Sequence, residues 1–384
     1  MHVLHFFKTY WPDTFGGVER TIYAIARGVQ SHDVESVVLS LSRFPKENSR
    51  SFDGHQALKA KLSFEFASTG FSREAVSKFH ELSQQADIIH YHFPWPFMDM
   101  VHMWERPGKP CLVTYHSDIV KQKYLLKLYR PLMKAFLGSV DRIVVTSPNY
   151  LASSVQLEGF KHKTDIIPIG IDRDNYPEIL PAKTAYWAER LPARFFLFIG
   201  VLRYYKGLHI LLEAAAQTGY PIVIIGSGPL ENDLKKQAES LGLTDCFFLG
   251  ALPDEDKIAL LDLAYCAVFP SHLRSEAFGL SLIEASMFAK PMISCEIGTG
   301  TSYVNKSGET GYVVPPNNPQ AFAKAMTALW ENPEEQKTMG AAALRRYQEH
   351  FTASRMAESY YKLYQKLLEQ PLNRTGTVSD SVKG

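Results

Sequence analysis

Tyr265-Cys-Ala-Val-Phe-Pro270, then a short polar turn, then Ser275-Glu-Ala-Phe-Gly-Leu-Ser-Leu-Ile-Glu284: this stretch fixes the architecture. The first run is apolar and unbroken, the pattern of a buried strand. After Gly279, the residues Leu280, Ile283 and Met287 recur at helical spacing. A strand, a loop and a helix in that order make a βα unit of a parallel sheet. Glu276 then falls in the loop, and Glu284 projects from the second turn of the helix. Between them the free N–H groups of Gly279, Leu280 and Ser281 open the helix and form a ready anion site. Two carboxylates beside such a cradle suit a ligand carrying both hydroxyl groups and phosphate, as a nucleotide sugar does.

Outward from this unit the same pattern repeats. Strands are expected at 195–201, 221–225, 246–249, 266–270 and 291–295, with a short one at 311–314 and helices onward to about residue 370. The N-terminal half alternates likewise, with strands expected at 3–7, 34–41, 86–91, 111–115, 142–146 and 165–169. Val18, Ile22, Ala26 and Val29 mark one stripe of the helix after the first strand. The expected division is an N-terminal domain over 1–180, a C-terminal domain over 181–350, a final helix over 351–370, and a disordered polar tail over 371–384. Two Rossmann-like halves facing each other place a cleft at the carboxyl ends of their strands.

Composition narrows the class. The 384 residues are 46% apolar and 21% charged, with a net charge of +1. That balance is ordinary for a globular chain and argues against nucleic acid as a partner. The four cysteines, Cys111, Cys246, Cys266 and Cys295, are scattered, which fits a reducing cytoplasm. No stretch approaches the roughly 20 apolar residues of a membrane span.

Several loops carry candidate chemistry. Gly16-Gly17, in the first βα turn, lets a phosphate or sugar approach the backbone closely, or forms a plain tight turn. It is not the dinucleotide GxGxxG pattern, which counts against an NAD enzyme. In Gly200-Val-Leu-Arg-Tyr-Tyr-Lys-Gly207, Arg203 and Lys206 stand where two cations can neutralise a diphosphate leaving group. His116, in Thr-Tyr-His-Ser-Asp, is either a cleft residue or a satisfied structural histidine. His90 and His92 are expected on opposite strand faces, a poor arrangement for a metal. Asp172-Arg-Asp174 and Asp254-Glu-Asp256 match a divalent-cation pattern but read as a domain join and a helix start. Lys121, Lys123, Lys127, Arg130 and Lys134 share residues 119–140 with Tyr124, Leu125, Leu128, Leu132 and Phe136. That surface either adsorbs to anionic lipid or is a solvated helix, and Pro131 is expected to interrupt it.

Taken together, Gly16-Gly17, His116, Arg203…Lys206-Gly207 and Glu276–x7–Glu284 resemble, in order, the retaining GT-B-fold glycosyltransferases of family 4. The resemblance covers residues 1 to about 370. It implies that Glu284 holds the ribose hydroxyls and that Glu276 binds the transferred sugar with the backbone of Phe278 and Gly279. It implies that Arg203 and Lys206 take the diphosphate, that His116 contacts the sugar, and that the strand end Leu249-Gly250-Ala251-Leu252 frames the base. It further implies a metal-independent enzyme without a cofactor, and a final helix crossing back onto the first domain. Tyr91-His-Phe-Pro-Trp-Pro-Phe97 and residues 201–207 look like bacterial O-antigen mannosyl- and rhamnosyltransferases. Those imply a GDP-mannose-type donor and a lipid-linked acceptor, with peripheral contact at the inner face of a membrane. One departure is that the usual Gly-Arg pair is spread here over Gly200-Val-Leu-Arg203. Two rival readings are a nucleotide-sugar epimerase or hydrolase on the same scaffold, and a non-catalytic nucleotide-sugar-binding partner.

Overall fold

Strands such as Ile88–Phe93, buried at every position, form because β-branched and aromatic runs suit a parallel sheet covered on both faces. The computed structural model describes residues 1–14, 16–45, 49–67, 69–119 and 123–369, and only the backbone of 49, 50 and 123–126. The proposed tail at 371–384 and Lys121 lie outside the described residues. In chain order the strands are β1 (His2–Phe6), β2 (Glu35–Ser42), β3 (Ser49–Phe52), β4 (His55–Lys61), β5 (Phe64–Phe66), β6 (Thr69–Phe71), β7 (Ile88–Phe93) and β8 (Cys111–Tyr115). They continue with β9 (Arg142–Val145), β10 (Thr164–Ile166), β11 (Phe196–Ile199), β12 (Ile222–Ile225), β13 (Cys246–Gly250), β14 (Cys266–Phe269), β15 (Met292–Cys295) and β16 (Gly311–Val314).

The first sheet has eight strands in the order β10-β9-β8-β7-β1-β2-β4-β3, parallel except for the β3–β4 pair. The second has six, all parallel, in the order β13-β12-β11-β14-β15-β16. Among the parallel strands each order reverses once, between β1 and β7 and between β11 and β14, and such switch points open a crevice at the strands' carboxyl ends. The main strands fall within a few residues of expectation. The 49–71 region differs: β3, β5 and β6 are strands of three or four residues at an edge or in a hairpin, and the seven-residue β4 lies between β2 and β3 in the sheet.

The helix Ala353–Glu369 packs on the helix Gly17–Gly28, so this helix returns to the first domain. Small residues permit this: a Cβ on Gly28 would lie 2.5 Å from that of Ala357. Met356, Tyr360, Leu363, Tyr364 and Leu367 join Val3, Ile25, Val29 and Leu112 in one buried cluster. Each such side chain contributes about 1.5–3 kcal/mol through burial. The basic segment is one helix, Lys123–Ser139, running through Pro131 rather than breaking there. Burial of Met133, Phe136 and Leu137 against the first sheet offsets the lost backbone hydrogen bond.

Candidate functional site

A cavity of about 590 Å³ lies between the two sheets. Its walls come from the turns after β1, β8, β11 and β14, at the carboxyl ends of strands at or next to the two switch points. Gly16, Gly17, His116, Lys206, Glu276, Phe278, Gly279, Leu280, Ser281 and Glu284 all line it. Gly17 faces Leu280 from the opposite domain, a Cβ there standing 3.3 Å from Leu280 Cδ1.

On the second-domain wall, β11 ends in the short turn Tyr204–Lys206, closed by Gly207 at φ +71°. A Cβ at Gly207 would sit 2.0 Å from the Pro270 carbonyl oxygen, so only glycine lets this turn dock on the end of β14. Docking brings Lys206 to Glu276, with which it forms a short ion pair. Both side chains are mostly buried, and the ammonium lies 4.9 Å from the centre of the Phe269 ring.

The helix Leu280–Met287 starts after Gly279. Among the described residues, the amides of Gly279, Leu280 and Ser281 have no acceptor in the chain and open toward the cavity. One turn later Glu284, 8% exposed, accepts hydrogen bonds from Tyr176 Oη at 2.8 Å and Lys257 Nζ at 3.2 Å. Lys257 also meets Asp254 at 2.8 Å. Burial, and then the Glu284 carboxylate, hold the Tyr176 phenol far above its usual pKa, so it stays a donor.

The first-domain wall is built differently. His116 follows β8, is 6% exposed, and donates its backbone N–H to the Phe93 carbonyl. Its Nε2 lies 3.1 Å from Nδ1 of His92, whose Nε2 lies 3.1 Å from Nδ1 of His5. His90 and His92 share a face of β7 with stacked rings 4.3 Å apart, contrary to the expected opposite faces. Side chains two apart on a strand point the same way, so spacing alone required this. His90 is held by Tyr364 Oη at 2.8 Å and by Thr114 Oγ1 at 2.7 Å. Burial drives all four imidazoles down, His5 and His116 to about 3 and the other two well below their ordinary value. They are neutral at physiological pH. His5, His90 and His92 have ligand atoms within 4.8 Å of one another, but both nitrogens of His90 are already engaged, and among the described residues no carboxylate joins the group.

Comparison with known proteins assigns the chain to a family. The family model for Glycosyl transferases group 1 matches residues 185–346, and that for Glycosyltransferase Family 4 matches residues 15–175. The D-rhamnosyltransferase WbpZ of Pseudomonas aeruginosa is 54% identical over 353 residues, covering 92% of this chain and 93% of that protein. The O-antigen chain mannosyltransferase C of Escherichia coli is 48% identical over 369 residues, covering 96% and 99%. The chain belongs to the family 4 glycosyltransferases.

Solved structures place this glycosyltransferase in the two-domain GT-B fold. Sucrose-phosphate synthase from Thermosynechococcus elongatus matches with a TM-score of 0.78 at 22% identity, covering 95% of this chain and 98% of its own. Anabaena HepE, in complex with UDP and glucose, matches with a TM-score of 0.76 at 17% identity, covering 95% and 100%.

Not every expected site residue of the glycosyltransferase reaches the cavity. Arg203 is exposed at the start of its turn, and its side chain has no partner among the described residues. Gly250 ends β13, its carbonyl accepting from Gly226 N at 2.8 Å, and Leu252 packs on the second-domain core. Neither lines the cavity. Of the acidic motifs, Asp256 is taken by Lys183 and Trp187 at 2.9 Å, and Asp172 accepts from the Ala353 amide at 3.0 Å. Lys257, Tyr176 and Arg20 line the cavity without having been singled out. The signal for Lys257 was its place three residues after Asp254 at a helix start, where an i,i+3 pair forms. Tyr176 reaches Glu284 only through tertiary folding, so spacing carries no trace of it.

Proposed function

We propose that this glycosyltransferase moves a hexose, mannose or a 6-deoxy relative, with retention, from a GDP-linked donor to a lipid-linked oligosaccharide during O-antigen assembly. Support for sugar and pathway comes from the relatives, which are named a D-rhamnosyltransferase and an O-antigen mannosyltransferase. Support for the donor class comes from one observation above all: three unpaired amides at the start of the Leu280–Met287 helix lie between the Lys206–Glu276 and Lys257–Glu284 pairs. An anion cradle flanked by paired carboxylates matches a diphosphate with hydroxyl-bearing groups on both sides.

In this reading Glu284 holds the ribose, Glu276 the transferred sugar, and Lys206 with Arg203 the diphosphate. His116 meets the sugar near the reacting carbon, and Gly250 to Leu252 lie by the base. The bond from the anomeric carbon to the phosphate oxygen breaks with its electron pair going to that oxygen. The acceptor hydroxyl oxygen bonds the same face of the carbon, and its proton passes to the departing phosphate. No enzyme nucleophile, cofactor or metal enters; the protein contributes positioning and leaving-group stabilisation.

The protein works at the cytoplasmic face of a membrane in this proposal. Among the described residues no helix is long and apolar enough to cross one. The helix Lys123–Ser139 exposes Lys127, Arg130 and Lys134 beside Leu128, which is 82% exposed, and these support peripheral contact with anionic lipid.

The test is transfer by the purified chain from GDP-mannose, GDP-rhamnose or UDP-glucose to a lipid-diphosphate-linked oligosaccharide, with chelator present, and NMR assignment of the new anomeric centre. Transfer from a GDP-sugar with retention is expected. Transfer from the UDP-sugar alone, an inverted product, or loss of activity with chelator would each overturn the corresponding part. Donor turnover without acceptor would favour an epimerase or hydrolase.

A further inference from the structure

The rings of His5, His92 and His116 form a line from the interior of the first sheet to the cleft. Adjacent rings are nearly parallel, at 19° and 22°, with centroids 5.4 Å apart in both pairs. Since the facing nitrogens are only 3.1 Å apart, the rings meet edge to edge rather than face to face. That is hydrogen-bond geometry. His90 stacks its face on His92 and is itself tied at both nitrogens, which keeps the line from rotating.

A neutral imidazole has one N–H and one lone pair. Both bonds in the line must therefore run in the same sense, and the tautomers of the three rings are locked together. Only the ends distinguish the two senses. At the inner end, His5 Nε2 is buried with no partner among the described residues. One sense strands an N–H there; the other strands only a lone pair, and orphaned buried N–H groups are the rarer kind. The favoured sense runs from His5 Nδ1–H to His92 Nε2 and from His92 Nδ1–H to His116 Nε2. Because the line ends in a buried nitrogen, it conducts no proton to solvent. It sets a direction.

We propose that His5 and His92 are positioning residues that fix His116 with its proton on Nδ1, so that the cleft is offered a hydrogen-bond donor for a hydroxyl oxygen of the donor sugar. This rests on the reading that His116 touches the transferred sugar.

The first test needs no variant of the line. With 15N-labelled histidine at pH 7, the His116 resonances, assigned by their loss in His116→Gln, are expected to show a protonated Nδ1 and a bare Nε2. A protonated Nε2 would overturn the proposal. The second test uses His92→Leu, which removes the donor to His116, and His92→Asn, whose amide N–H can replace Nδ1–H. His92→Leu is expected to mix the His116 tautomers and lower kcat/KM for the nucleotide sugar about tenfold, the worth of one well-placed hydrogen bond. His92→Asn should keep the tautomer and stay within about threefold, and neither change should alter binding of the free nucleoside diphosphate. An unchanged His116 tautomer in a folded His92→Leu protein would show that the line does not set it. If the wild-type tautomer is as expected but His116→Ala transfers sugar normally, the sugar contact fails and the lock stands without that use.

Discussion

The two walls of the cleft hold polar groups in a half-dry space by opposite means. The second-domain wall keeps its groups charged and pairs them: Lys206 with Glu276, and Lys257 with Glu284 and Asp254. The first-domain wall also carries Arg20, but it keeps its buried histidines neutral and aligns them, with His116 backed by His92 and His5. A charged pair can trade a partner for a ligand's phosphate or hydroxyl without leaving a bare charge behind. A neutral line cannot trade, but it fixes which atom it offers. The contrast divides the labour: charge compensation on one wall, directional contact on the other.

The largest effect that would break this comparison is acid destabilisation. The folded-state pKa values of His5, His90, His92 and His116 are depressed below the ordinary 6.5, so the unfolded chain takes up protons that the native one refuses. Their contribution is whole above pH 6.5 and is lost as pH falls from there toward about 3. Each histidine adds up to about 1.4 kcal/mol per pH unit to the slope. Denaturant titrations at pH 7, 6 and 5 should show a steep fall, and His5→Phe should flatten it by one histidine's share. Equal stability at all three pH values would mean that the line is charged in the native state.

On the opposite wall, Lys206→Ala is expected to lower kcat about 10²–10³-fold, the cost of losing one fixed electrostatic donor. Arg203→Ala should cost less, about tenfold, since its exposed side chain is screened and not pre-positioned. Near-normal turnover in both variants would remove the diphosphate assignment. Glu284→Ala should weaken free-nucleotide binding roughly tenfold by calorimetry while sparing kcat, whereas Glu276→Ala should damage turnover and donor selectivity. Equal losses of nucleotide affinity in the two would erase the distinction between the pairs. The smallest change is Tyr176→Phe, which removes one hydrogen bond to Glu284 and should weaken nucleotide binding about two- to fivefold.

How far the sequence reached follows the same division. The alternation of strand and helix, the loop position of Glu276 and the helical position of Glu284 were legible because each depends on neighbours a few residues away. The 49–71 region was not, since β3, β5 and β6 are defined by pairing rather than by period. Nor was the histidine line, which joins β1, β7 and β8 across the sheet. Its one local clue, the spacing of His90 and His92, was assigned to opposite faces when a two-residue step keeps one face. The position of Lys206 in its turn is legible locally, but its pairing with Glu276 is not, because the fold closes Gly207 against Pro270 to bring the two together.

The return of the helix Ala353–Glu369 has a consequence for biosynthesis. Tyr360 and Tyr364 from that helix bond Thr114 and His90, so they close the first-domain core from the far end of the chain. A ribosome delivers residues 1–180 long before that helix emerges. During that interval Val3, Ile25 and Val29 lack the cover that the helix supplies, which leaves apolar surface exposed. A fragment ending before residue 353 should therefore aggregate where the longer chain stays dispersed.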